Sequence, residues 1–177
     1  MAGIPFLTSS YFVGELLIPN LTTATAAGTA NIAELQWFID TYEVQFLKYL
    51  MGEDLYTEFA AGIALTVPDA KWTALKAKIY TTSTAGSVTH YFSPAAAYVY
   101  FKFRSAKKTV TTESAETSPE HQNAVNSNSN MKAITNWNQM VKACEVIWQW
   151  IADNSVTYST FSDENKGYLD YVNQWGI

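Results

Sequence analysis

Apolar residues recur at steps of three and four along most of this chain, and short polar or glycine-containing breaks separate the runs. Asn31 with Glu34 resembles a capping box, and after it Ile32, Leu35, Ile39, Tyr42, Phe46 and Tyr49 form one stripe, predicting a helix over 31–51. Glu34, Thr41, Glu43, Gln45 and Lys48 are assigned mostly to the other faces. Gly52 supplies a stop. Glu53 and Asp54 then suit the positive end of a second helix over 53–63, whose apolar side is Leu55, Tyr56, Phe59 and Ile63. Pro68 opens a third over 69–80, with Trp72, Leu75 and Ile79 on one side. TTSTAGS reads as a loop. Residues 88–106 read as a helix begun or kinked at Pro94, although AYVYFKFR within it alternates as a strand would. Ile134, Trp137, Val141, Cys144, Trp148 and Ile151 mark a last long helix over 131–152.

The remaining segments lack such a stripe. LTSSYFVGELLIPN suggests a serine-capped apolar turn of helix ended by Pro19, and LTTATAAGTA a linker. Residues 109–130 are mostly Ser, Thr, Asn and Glu and cannot form a core alone, so they read as a loop, a β-hairpin arm or a disordered excursion. The pattern therefore predicts an all-α fold: a compact helical bundle over 31–153, with sheet confined to an arm at about 107–125 within a projecting region 107–130. It would be preceded by an N-terminal segment and linker over 1–30 and followed by an extended C-terminal docking tail over 154–177. Ile39, Phe46, Trp137 and Val141 are the predicted core.

Charge sharpens this picture. The net −5 divides into −7 over residues 1–70, +7 over 71–110 and −5 over 111–177, and the middle block holds Lys71, Lys76, Lys78, Lys102, Arg104, Lys107 and Lys108 with no acid. Such a block either folds onto the acids of its own chain or meets an acidic neighbour or nucleic acid. The run YVYFKFRSAKK interleaves rings and cations as a single-strand binder does, but a helix burying its rings gives the same string. The acidic remainder argues against sequence-specific duplex binding.

Aromatic residues make up 15% of the chain, enough that some rings could serve as interface anchors instead of core. The single cysteine, Cys144, excludes an internal disulfide and a cysteine-based zinc site, and its apolar setting reads as a buried thiol. MAGIPFLTSS has no basic region followed by an apolar run, and no stretch reaches membrane-spanning length, so synthesis and retention in a cytoplasm without membrane contact are expected. The two histidines, His90 and His121, lie in separate segments, and no metal-ligand, nucleophile-elbow or phosphate-loop spacing occurs. Glu53 and Asp54, being adjacent, point to different helix faces and make a poor acid–base pair. No enzymatic activity, cofactor or metal is expected. A soluble enzyme with an unfamiliar site near a histidine and a monomeric binding module are the alternatives.

The stretch YEVQFLKYLMGEDLYTEFAAG resembles the opening of the small all-α head–tail connector (adaptor, or neck-ring) proteins of tailed bacteriophages. The residues carrying the resemblance are Tyr42, Glu43, Phe46, Leu47, Leu50, Gly52, Leu55, Tyr56 and Phe59, and the matching layout covers about residues 31–151. The resemblance implies a structural virion protein at the head–tail interface, made in a host bacterium. It would form a twelvefold homo-oligomeric ring below the portal protein, contact the next neck or tail protein, and extend the DNA conduit without sequence-specific binding. Another neck or tail-completion protein fits the same residues. A ring needs two different faces that meet heterologously. The expected pairing sets Lys76, Lys78, Arg104, Lys107 and Lys108 against Glu53, Asp54 and Glu58 of an adjacent subunit. The apolar tail residues Tyr168, Leu169, Tyr171, Val172, Trp175 and Ile177 are expected to dock either on their own bundle or on the portal or a neighbour.

Overall fold

Thr25, not Asn31, opens the first long helix. Its hydroxyl accepts from the Gly28 amide at 3.0 Å, and α1 runs Ala26–Met51 in the computed structural model, which describes residues 5–85, 88–107, 110–111, 116–117 and 129–172. The stretch expected as linker thus supplies the first turn of α1, because Thr serves as an N-cap and the alanines after it are strong helix formers. Four further helices follow among the described residues: α2 Glu53–Ile63, α3 Ala70–Ile79, α4 Pro94–Lys107 and α5 Ser129–Asp153.

Gly52 is the hinge between α1 and α2. Its φ of 82° and ψ of 163° belong to a region that essentially only glycine occupies. In that conformation its amide still donates to the Lys48 carbonyl at 3.0 Å while its own carbonyl accepts from the Tyr56 amide at 3.1 Å. One residue therefore ends one helix and begins the next. The last carbonyls of α1 find partners from distant chain: the Trp148 indole N–H reaches Leu50 O at 2.7 Å, and Asn165 and Ser162 approach Lys48 O and Met51 O, each at 3.5 Å.

The all-α expectation needs one correction. Residues Thr81–Ala85 and Val88–Phe92 form an antiparallel hairpin, β1 and β2, with Thr81 opposite Phe92 and Ala85 opposite Val88. This lies where a loop and the start of a helix were predicted. Threonine, valine and aromatic residues favour extended backbone, and Gly-Ser between the runs is a two-residue hairpin signal. Pro94 then begins α4 outright, as its fixed φ and missing N–H allow at a first helical position. The fold is mainly helical with a two-stranded antiparallel sheet. In the predicted arm two further short strands, β3 Val110–Thr111 and β4 Glu116–Thr117, form a second antiparallel pair.

The strand-like run AYVYFKFR is helical, because α4 is the central element and buries nearly every side. Ala95, Ala96, Ala97, Tyr98, Val99, Tyr100 and Phe103 are all buried. The alanines let α4 pack closely between α1 and α5. Ile39, Phe46, Trp137 and Val141 are buried as predicted. The same core takes in Leu7, Tyr11, Phe12 and Ile18 from before α1, and Tyr158 and Leu169 from after α5. The expected N-terminal apolar helix is two single 3-10 turns, Ser9–Tyr11 and Gly14–Leu16.

Candidate interaction surface

The strongest polar feature of the molecule is internal. Glu43 is 1% exposed, yet it falls four residues after Ile39 and three before Phe46, inside the apolar stripe of α1. Its carboxylate accepts from the Phe6 amide (3.1 and 3.2 Å), the Leu7 amide (3.4 Å) and the Tyr80 hydroxyl (2.6 Å). Burial pushes its carboxyl above the ordinary range, while the Tyr80 and backbone donors pull it back. The Tyr80 hydroxyl lies well above its usual range, first through burial and then through the Glu43 charge. Every partner is a donor that holds the carboxylate in place, so this node ties the N-terminal segment to α1 and α3. Cys144 is buried and its thiol is pushed up by that burial, which fits an inert core thiol.

The cations of the basic block do not fold back onto the acids of their own chain, with one exception among the described residues. Lys107 meets Glu34 at 2.6 Å. Lys71, Lys76 and Lys78 instead lie over the rings of Trp72, Phe6 and Trp150 at 4.2, 4.3 and 5.4 Å, and Lys102 over Tyr98 and Tyr42 at 5.2 and 5.6 Å. Lys76 and Lys78 occupy the last turn of α3, and Arg104 and Lys107 the last turn of α4, where cations complement the helix dipole. The acids proposed to face them sit elsewhere. Glu53 and Asp54 are in the first turn of α2, with Glu53 paired to Lys48 at 2.8 Å, while Asp54 and Glu58 are exposed. The structure therefore places the two charged sets on different elements and does not join them within the chain. Lys108 lies outside the described residues.

The described part of the tail docks on its own bundle. Leu169 is fully buried, and Tyr168 stacks on Tyr49 with ring centroids 4.6 Å apart. The Trp137 indole N–H donates to Asp170 O at 2.8 Å. Asn138 both donates to Val172 O (2.8 Å) and accepts from Val172 N (2.9 Å), as one further strand residue would. The Tyr171 hydroxyl donates to Glu145 at 2.8 Å. Trp175 and Ile177 lie outside the described residues.

Sequence reasoning missed the most open apolar surface. A groove of about 540 Å³ runs between α3, β2 and α5, lined by Ala77, Lys78, Phe92, Pro94, Val146 and Ile147 among others. Beside it, across Phe92, a second hollow of about 220 Å³ lies between the 3-10 turns, β2 and α5, with Val13, Leu16, Tyr91 and Met140 in its walls. Phe92 is 51% exposed and Val146 66%. The sequence signal existed for Val146, which follows the polar side of the α5 stripe. None existed for Phe92, whose segment read as helical. Trp37, 57% exposed on α1, is a separate bare ring.

His90 stands exposed on β2 opposite Ser83, and His121 is outside the described residues. Among the described residues no group of three or more metal-ligating side chains occurs, and no helix is long and apolar enough to cross a membrane. Comparison with protein families, with curated proteins and with solved structures finds no match to this chain.

Proposed function

We propose that this protein is a structural subunit of a tailed-phage neck, a head–tail adaptor that packs side by side with copies of itself into a ring below the portal. The observation that carries this reading is the uncancelled charge. Lys76 and Lys78 end α3 beside an apolar groove, Asp54 and Glu58 stand exposed on α2, and within one chain the two sets do not meet. A surface with opposite charges on different elements is complementary to a second copy in the head-to-tail sense that closes a ring. The helix–glycine–helix stretch around Gly52, on which the resemblance rests, forms the corner between α1 and α2. The mainly helical fold accords with the family's layout. Portal and tail partners, the virion location and passage of DNA through the lumen follow from the same reading.

The test is a triple reversal, Lys76→Glu, Lys78→Glu and Arg104→Glu, in the protein supplied to particles that lack it. Single exposed pairs contribute about 0–1 kcal/mol, so three changes together are required. The proposal expects a folded subunit that fails to enter particles, with capsids that lose DNA or lack tails. Normal incorporation of the triple variant would refute it.

A further inference from the structure

The groove between α3, β2 and α5 is built like a receptor: an apolar floor of Phe92, Pro94, Val146 and Ile147 with one cation, Lys78, at its edge. Residues 173–177, Asn-Gln-Trp-Gly-Ile, follow a tail that is firmly held up to Val172. We infer that this groove receives Trp175, followed by Ile177, from a second copy of the chain. The inference deepens the ring reading by naming a contact through which neighbours would be joined.

Geometry decides between the same copy and another. Tyr168 stacks on Tyr49, and the neighbouring Leu50 carbonyl is bonded by Trp148, so the tail starts near the level of Trp148 on α5. It then passes Trp137 at Asp170 and reaches Asn138 at Val172, which takes it toward the N-terminal end of α5. The groove residues Ala143, Val146 and Ile147 lie behind it. They are about 8, 12 and 14 Å further along the helix from Asn138, and about 140°, 80° and 180° around it. Three residues beyond Val172 span at most roughly 10 Å. Trp175 would have to reverse direction and pass a quarter to a half of the way around α5 to reach the groove of its own chain, farther than three residues of backbone extend. A neighbouring copy presents the groove without that detour.

Chemistry supports the same occupant. An indole matches an apolar floor of this size, and Lys78 already sits 5.4 Å from the Trp150 ring, where it can also face an incoming ring. Asp170 precedes the tryptophan in the tail, opposite in sign to the groove's lysine. Because the donor stays fixed at Val172, the joint would be short and would hold two subunits in one relative orientation.

The experiment uses the isotopically labelled full-length chain and a synthetic peptide spanning residues 170–177, followed by nuclear magnetic resonance. The inference expects saturable shifts at Phe92, Val146 and Ile147, with affinity on the order of 1 mM or tighter. A Trp175→Ala peptide should bind about tenfold more weakly or worse. Val146→Asp, at an exposed position, should abolish the shifts while leaving the rest of the spectrum unchanged. Absence of saturable shifts, shifts confined to another face, or a Trp175→Ala peptide that binds with undiminished affinity would each overturn it. The peptide reads the groove without any ring being formed, so failure here leaves the charge-face proposal to be judged by its own triple variant.

Discussion

The two ends of the hairpin side of this protein are equally rich in rings and differ in what covers them. At the Glu43 end, Phe6 meets Phe59 and Tyr80 at ring separations of 5.8 and 5.2 Å, and each polar group enclosed there has a partner. At the α5 end, Phe92 and Val146 border a groove that no described residue fills. The first end has the character of a core, with polar atoms satisfied and apolar atoms enclosed. The second resembles half of one. The contrast teaches that aromatic content by itself says little about function here. What matters is whether the chain supplies the other half of the contact.

The comparison predicts sharply unequal responses to substitution. The largest is expected at Glu43→Ala, which leaves the Phe6 and Leu7 amides and the Tyr80 hydroxyl without their acceptor. At about 1–3 kcal/mol for each stranded group, the loss over the three should be on the order of 3–9 kcal/mol in chemical denaturation. The pH dependence of this site has a definite sign. Because the folded state holds the Glu43 carboxyl above its ordinary range, its contribution to stability is fully present in acid and is lost as pH rises through that raised value. The stability of the wild type relative to Glu43→Gln should therefore decline with rising pH, and a difference that grows instead would contradict the assignment.

A smaller effect is expected where α2 meets α3. A Cβ on Gly62 would stand 1.9 Å from the Trp72 indole nitrogen, so Gly62→Ala must push the ring or the helix aside. That should cost about 1–3 kcal/mol. Gly52→Ala should cost a similar amount for a different reason, since its backbone lies in a region that side-chain-bearing residues avoid at about 1–3 kcal/mol. The melting transitions of both variants check this, and an unchanged Gly52→Ala would show that the corner relaxes freely. The smallest effect is expected at the open end: Val146→Asp should shift stability by less than about 0.5 kcal/mol. If it destabilised the isolated chain as strongly as Glu43→Ala, the groove would be part of the core and the contrast would fail.

Much of the fold was legible because helical spacing is a strong signal over long stretches. The steps of three and four from Leu35 to Leu50 and from Trp137 to Ile151 locate α1 and α5 within a few residues. Two errors have physical causes. Helical spacing carries the predicted helix back across residues 88–93, whereas the β-branched and aromatic residues there and the Gly-Ser pair just before them favour a hairpin. Glu43 was assigned to a polar face by residue type, although its spacing from Ile39 and Phe46 put it in the buried stripe; the partners that make its burial tolerable come from Phe6, Leu7 and Tyr80, far away in sequence. The charge blocks are plain in the sequence, but that these lysines lie over rings rather than against acids depends on tertiary packing. The groove is not legible, because its walls come from α3, both hairpin strands, α4 and α5, and the segment of Phe92 reads as helical in the sequence.

The central claim is that this chain meets copies of itself through its charged faces and its open groove. Electron cryo-microscopy of the assembled particle tests it most directly. The account predicts a ring below the portal in which Lys76, Lys78 and Arg104 of one subunit face Asp54 and Glu58 of the next. A ring whose subunits turn those cations toward the DNA lumen, or a neck that contains no copies of the chain, would contradict it.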